Sequence, residues 1–376
     1  MKSIMFFIEN PIGGGAEQIL KNVAESIDKN LFDTTVVTVT NPNQKKYYKN
    51  STNQKCFTLS NPHNLRAINF INKFIVSFSI RTKVKTLYKI FIRKKFDIEI
   101  AFCEGYATKI IGNSPYKNSK KIAWVHTDVI NNPWSEYVFG NAENERKCYE
   151  KFDAIVCVSQ TMKDSFVKKY GMAEKVHVLY NIIDYEKIKM LSSENAEIPF
   201  SQKPCFVMAG RLVKVKAYDR MIKVCAKLRD NNYDFSVIVA GDGEEKINLI
   251  NMIKNYKLVD RIRLLDFQEN PYKYIAKSDC FVCSSYAEGY STAVTEAVVL
   301  NVPVITTDCS GMREIFGDRE CGIICENSDD GLYNALKKVL DNPDLLEHFR
   351  KEEKIRSTDF NKENLVKKIE DFFDTI

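Results

Sequence analysis

The chain has 376 residues, 44% of them hydrophobic and 28% charged, with only 15 glycines and 10 prolines. This is the composition of a globular protein long enough for two domains, and it excludes a disulfide-stapled miniprotein, a disordered tail, a collagenous chain and a solenoid of short repeats. A formal net charge of +6 is too small to mark a nucleic-acid-binding domain, and neither zinc-finger spacing nor an RNP-like aromatic motif is present.

The chain opens with one Lys and a short apolar run that passes into Gly13, Gly14 and Gly15 without a cleavage pattern. Export is therefore not expected. Lys or Arg interrupts every long apolar segment, so no stretch reaches the roughly 20 residues of a membrane-spanning helix. Eleven cysteines without an export signal read as reduced thiols in the cytosol.

In chain order, short apolar runs alternate with longer amphipathic stretches. SIMFFI (3–8), TTVVTV (34–39), DIEIAF (97–102), KIAWV (121–125) and DAIVCVS (153–159) form a first series of expected strands. Between Thr34 and Phe96 stand 13 Lys or Arg and no acid. The later part of that stretch, residues 66–95, mixes bases with Phe, Ile, Leu and Tyr as a membrane-surface helix does, which favours an anionic lipid surface over nucleic acid as partner. A solvated face of a Lys-rich chain is the plainer alternative.

A polar stretch at 192–203 interrupts the rhythm and places a hinge near residues 181–203. A second series follows: PCFVMAG (204–210), DFSVIVAG (234–241), RIRLLDF (261–267), DCFVCSS (279–285), VPVITT (302–307) and CGIIC (321–325). Cys280 and Cys283 have CxxC spacing but sit in an apolar strand with no second pair nearby, so they read as core thiols rather than metal ligands. The chain ends in an amphipathic helix with Leu365, Ile369, Phe372 and Phe373 spaced for one face. The expected class is α/β, with two doubly wound parallel sheets whose carboxyl-end loops line a cleft.

Three post-strand motifs carry chemistry. Gly13-Gly14-Gly15 opens a helix where backbone amides can approach an anion. Neither GxGxxG nor GxxxxGK[ST] occurs, which weakens nicotinamide and ATP readings. Gly210-Arg211 is followed by Lys216 in the same loop: a planar fork and a point charge that together could neutralise a departing diphosphate. Glu288 and Glu296, eight apart, flank a helix start at Ser291 and Thr292. Amides there suit phosphate, Glu288 could accept sugar hydroxyls, and Glu296 could hold both ribose hydroxyls.

GGGAEQ, WVHTD, VCVSQTMKDSF, LYNIID, GRLVKVKAYDRMI, AGDGEEK and EGYSTAVTEAVVLNVPVITTDCSGMREI, in that order, resemble a retaining glycosyltransferase of the GT-B fold, family 4, of bacterial surface-polysaccharide type. The resemblance covers nearly the whole chain. It implies two Rossmann-like domains: an amino-terminal acceptor domain over 1–183, with the carboxyl-terminal helix at 358–376 crossing back onto it, and a donor domain over 184–357. It assigns Arg211 and Lys216 to the donor diphosphate, Glu288 to the donor sugar and Glu296 to the ribose. Gly14, Gly15, Gly210, Ser291 and Thr292 would contact the donor through backbone groups, and the backbone near Phe267 and Gln268 would hold the base. His126 would stand near donor sugar and acceptor, with Asp128 on the acceptor side. Trp124 and Trp134 read as core or acceptor-wall aromatics. Ala217, Ser291 and Asp266 stand where relatives often have Gly.

The implied reaction moves a hexose or N-acetylhexosamine from a nucleotide sugar, expected to be UDP-linked, to a lipid-linked or glycan acceptor, with retention at the anomeric carbon. No cofactor and no obligatory metal are expected. The expected location is the inner face of the plasma membrane. Two competing readings are a catalytically silent sugar-nucleotide-binding subunit and a UDP-sugar epimerase of the same fold.

Overall fold

The computed structural model describes residues 1–9, 14–38, 55–58, 88, 92 and 94–376. Most of the basic stretch 66–95, and Gly13, lie outside these residues. The chain divides into two compact units: residues 1–182 with 363–376, and residues 183–362.

Among the described residues the first unit holds a seven-stranded sheet. Its strands are β1 (Lys2–Ile8), β2 (Phe32–Thr38), β3 (Lys55–Thr58), β4 (Ile98–Ala101), β5 (Lys120–Val125), β6 (Ala154–Cys157) and β7 (Val176–Val178). Their spatial order is β3-β2-β1-β4-β5-β6-β7, all parallel. Ile4 to Ile8 are all buried, as a strand covered on both faces requires. The five expected strands are present; β3 and β7 are additions, one inside the acid-free segment 34–96 and one only three residues long.

The helix Lys362–Thr375 belongs to this first unit. It buries Ile369 and Phe373, and the Phe373 ring lies edge-on to Phe6 and Phe32 at 6.3 and 5.9 Å. Leu365 and Phe372, expected on the same face, are only half-buried. Lys2 Nζ donates to the Phe373 carbonyl at 2.8 Å, tying the first strand to the last helix.

The second unit carries β8 (Cys205–Ala209), β9 (Ser236–Ala240), β10 (Ile262–Leu264), β11 (Cys280–Cys283), β12 (Val304–Thr307) and β13 (Gly322–Cys325), in the order β10-β9-β8-β11-β12-β13 and parallel throughout. All six were legible as apolar runs. Phe206, Leu228, Phe235 and Leu336 are buried in its core. The polar stretch at 192–203 is tied to this unit: Lys277 Nζ donates to the Ala196 carbonyl and Ser236 Oγ to that of Gln202.

Each sheet reverses its strand order beside its first strand, at β1/β4 and at β8/β11. Loops leaving the carboxyl ends of such neighbours diverge to opposite faces and leave a crevice, the usual ligand site of open α/β sheets.

Candidate functional site

In the second unit the loops after β8, β9 and β11 converge. Gly210 has φ +146° and its amide donates to the Ala240 carbonyl at 3.0 Å; the Leu212 amide donates to that of Asp242 at 2.9 Å. A Cβ on Gly241 would stand 1.9 Å from the Gly210 carbonyl oxygen, and one on Gly243 2.4 Å from that of Leu212. Only glycines let the two loops close to this distance. Arg211 is exposed beside them, as is Lys214.

Lys216 ends a short 3₁₀ turn, Lys214–Lys216, and Ala217 then takes left-handed dihedrals (φ +50°, ψ +42°) before the helix Tyr218–Asp230. The αL region costs an L-residue about 1–2 kcal/mol that Gly would not incur. Asp266, the second departure, is also left-handed at φ +58°. Ser291, the third, has an ordinary φ of −70° and caps the helix Thr292–Val299, its hydroxyl accepting from the Val294 amide.

Lys216 Nζ meets both carboxylate oxygens of Glu288, at 2.7 and 2.9 Å. Ser285 Oγ donates to Glu288 Oε1 at 2.6 Å. Burial works to discharge Lys216, but Glu288 and the nearby Cys283 hold its pKa above the ordinary value. Met208, Tyr218, Cys283, Ser291 and Ala293 line the same small pocket with this pair. Cys280 and Cys283 are both buried free thiols. Among the described residues no group of three or more His, Cys, Asp or Glu is placed to hold a metal ion.

Glu296 lies just over one turn into the helix, with Tyr272 Oη donating to Oε1 at 3.1 Å; burial pushes its pKa up to about 7. Gln268 Nε2 folds back onto the Leu265 carbonyl, Phe267 is 68% exposed, and the Asp266 carbonyl receives the Gly241 amide at 2.9 Å. Two features that motif reading passed over brace this cluster. Arg220, 4% exposed, donates to the Ser284 carbonyl, to Asn327 and to Asp329. A Cβ on Gly311 would stand 2.6 Å from the Gly289 carbonyl oxygen, so this glycine packs directly under the Glu288 loop.

In the first unit, His126 follows β5. Its ring packs on Phe102 at 4.9 Å and lies nearly parallel to Trp124, while Nε2 is buried with no hydrogen-bond partner among the described residues. Burial lowers its pKa to about 3, so the imidazole is neutral. Trp124 is a core residue, 1% exposed; Trp134 is 36% exposed and donates to Thr127 Oγ1.

Asp128 does not face outward. Its Oδ1 accepts the amides of Ile130 and Asn131, and its Oδ2 accepts Asn131 Nδ2 and, at 3.4 Å, Ser165 Oγ. At 2% exposure it shapes the loop after His126. Gly14 is the extended cap of the helix Gly15–Ser26, with no side-chain cap bond.

Glu104 was not singled out by any motif, yet it organises the His126 loop. One oxygen, Oε1, accepts the amides of His126 and Thr127 at 2.7 and 2.6 Å and the Thr127 hydroxyl at 2.8 Å. Glu9, at the end of β1, accepts the Ala107 amide at 2.8 Å, and its pKa rises to about 7, through burial first and the Glu104 charge last.

Comparison with known proteins bears on these clusters. The profile described as Glycosyltransferase Family 4 matches residues 13–187, and that described as Glycosyl transferases group 1 matches residues 189–356. The chain is 31% identical over 223 residues to N-acetylgalactosamine-N,N'-diacetylbacillosaminyl-diphospho-undecaprenol 4-alpha-N-acetylgalactosaminyltransferase of Campylobacter jejuni, covering 58% of this chain and 59% of that protein. It is 33% identical over 173 residues to the O-antigen biosynthesis glycosyltransferase WclY of Escherichia coli, covering 45% and 47%. These matches thus span about half of each relative's length. The crystal structure of Anabaena Alr3699/HepE in complex with UDP and glucose superposes with a TM-score of 0.78 at 16% identity, covering all of both chains.

Proposed function

The chain belongs to the glycosyltransferases of the GT-B fold, family 4-like, and from that premise we propose that it transfers a hexose or N-acetylhexosamine from a UDP-sugar to a lipid-linked or glycan acceptor in surface-polysaccharide assembly. The observation that carries the reading is the meeting of Lys216 and Glu288 in one pocket, beside Arg211 and the capped helix start at Ser291 and Thr292. A cation, a carboxylate and free helix amides at one point suit the two halves of a sugar diphosphate.

Transfer proceeds with retention, the acceptor hydroxyl attacking the anomeric carbon on the face from which the diphosphate leaves. That bond breaks, the new glycosidic bond forms, and the hydroxyl proton goes to the departing phosphate oxygen. Arg211, Lys216 and the amides near Ser291 and Thr292 stabilise the charge that develops on the leaving group, more in the transition state than in the ground state. These fixed cations do the work of a divalent metal, so none is required. Glu296 accepts the ribose hydroxyls, and neutral His126 stands on the acceptor side. Names of relatives support the acceptor class: one acts on a diphospho-undecaprenol-linked sugar, another in O-antigen biosynthesis. The UDP and glucose in the HepE complex support the donor class.

No described helix is long and apolar enough to cross a membrane. The basic segment 66–95 brings the protein to the anionic inner face of the plasma membrane, where a lipid-linked acceptor would be found. The test is nucleoside diphosphate release from a panel of nucleotide sugars, with and without membrane-extracted lipid acceptor and with and without EDTA. Release from one donor, accelerated by lipid and indifferent to chelator, is expected; no release from any donor despite UDP binding overturns the transferase reading in favour of a silent binding subunit.

A further inference from the structure

The two side chains that face the donor in the reading above hang from one dipeptide. Ser284 Oγ donates to the backbone carbonyls of Lys216 and Ala217 at 3.0 and 2.9 Å. The next residue, Ser285, donates through Oγ to Glu288 Oε1 at 2.6 Å. The dipeptide is itself held from behind: Arg220 Nη1 donates to the Ser284 carbonyl at 3.1 Å, and Thr307 Oγ1 and Cys309 Sγ donate to that of Ser285 at 2.6 and 3.3 Å. Ser284 and Ser285 are both 1% exposed.

The partners of Glu288 differ in permanence. Ser285 reaches it from a backbone fixed on both sides. Lys216 reaches it at the end of a flexible four-carbon stem, and it is the only cation paired with Glu288 among the described residues. A diphosphate in this pocket competes for that ammonium. Once Lys216 turns to phosphate, Glu288 is left with a side chain 10% exposed and no paired cation among the described residues, and a carboxylate so placed swings towards water unless something else holds it. What remains on Oε1 is the charge-assisted hydrogen bond from the Ser285 hydroxyl at 2.6 Å and the long, weak contact of the Cys283 thiol at 3.9 Å. It leaves Oε2, which among the described residues takes only Lys216 at 2.9 Å, open to a new donor.

We propose that Ser285 is a positioning residue that keeps Glu288 aimed at the donor sugar after Lys216 has been surrendered to the diphosphate. Ser285 thereby sets the preference of the site for a nucleotide sugar over the bare nucleoside diphosphate. This inference rests on the donor-site reading of the same pocket.

The experiment is calorimetric titration of the full-length wild type, Ser285→Ala and Ser285→Thr with UDP and with UDP-glucose, UDP-galactose, UDP-N-acetylglucosamine and UDP-N-acetylgalactosamine. For the best-bound sugar nucleotide, Ser285→Ala loses about tenfold in the ratio of sugar-nucleotide to UDP affinity, the order of one hydrogen bond to a charged group. UDP affinity itself is unchanged, and Ser285→Thr, which keeps the hydroxyl, restores the ratio. An unchanged ratio in Ser285→Ala, an equal loss for UDP and sugar nucleotide, or a threonine variant no better than alanine overturns the proposal. Failure of the wild type to bind any sugar nucleotide overturns the donor-site reading first and the proposal with it.

Discussion

Gly241→Ala tests the geometry of the donor loops most directly. The new Cβ would stand 1.9 Å from the Gly210 carbonyl oxygen and 3.1 Å from its carbon, against the 3.4 Å at which ordinary contact begins. The loop after β8 must therefore retreat by about 1.5 Å, and because the obstacle is backbone no rotamer change relieves it. The bonds that close the two loops, from Gly210 to Ala240 and from Leu212 to Asp242, stretch with it. Overpacking of this kind costs about 1–3 kcal/mol, or a fall of several degrees in melting temperature for a unit this size. Arg211 follows Gly210 directly, and a displacement of about 1 Å at a reacting centre costs on the order of a hundredfold in rate. Gly140→Ala is the control: φ is +88° and a Cβ there meets nothing within 4 Å, so it pays only the left-handed strain of about 1–2 kcal/mol and leaves turnover per folded molecule unchanged. Thermal unfolding by circular dichroism and nucleoside diphosphate release read the two effects separately. A Gly241→Ala protein that melts with the wild type and turns over at its rate would refute the argument that loop closure positions Arg211.

Lys216→Ala is expected to abolish transfer with an unchanged circular dichroism spectrum, and retained turnover removes the residue from the mechanism. Glu296, raised to about 7 by burial, holds a proton in the folded state that the unfolded chain releases above its ordinary 4.5, so its contribution to stability falls as pH rises from 4.5 through 7; its ionised form accepts ribose, so uridine affinity falls as pH drops from 8 to 6. Glu296→Gln flattens both profiles, and a dependence on pH that survives in the variant counts against the assignment. His126, lowered to about 3, refuses a proton that the unfolded chain binds below 6.5, so stability is lost as pH falls from 6.5 towards 3; His126→Gln shallows that acid limb in urea titrations, and an identical limb shows the ring is not the cause. Replacing the bases between Arg81 and Lys95 by Gln is expected to release the protein from anionic vesicles at low salt while sparing soluble-acceptor turnover, and undiminished vesicle binding refutes the membrane role of the segment.

The strands were legible where burial on both faces writes a continuous apolar run, as in Phe206 to Met208 or Val237 to Ala240, and illegible where the run is too short to stand out. β7 offers only Val176-His177-Val178, and β3 sits among bases and amides. The charged members of the site were legible because Arg, Lys and Glu at fixed offsets after strands carry their chemistry in their identity. What holds them in place was not, since it is built from residues with no chemistry of their own to announce. Ser285 and Glu288 lie three apart, but the bond from Lys216 to Glu288 crosses 72 residues of chain and depends on β8 and β11 being neighbours.

The same reasoning separates two kinds of departure from the family pattern. Ala217 and Asp266, in place of Gly, sit at φ +50° and +58° and carry backbone strain in the loops that bear Lys216 and Phe267. Ser291, in place of Gly, sits at an ordinary φ and adds a cap to the helix that bears Glu296. Strain and cap act in opposite directions on stability, by about 1–2 kcal/mol for each strained residue and by a few tenths of a kcal/mol for a Ser cap over Gly, yet all three lie beside groups assigned to the donor. Their common effect is on how the donor loops are held rather than on which charges are present. Ser285, through the carboxylate it fixes, belongs to the same loop support.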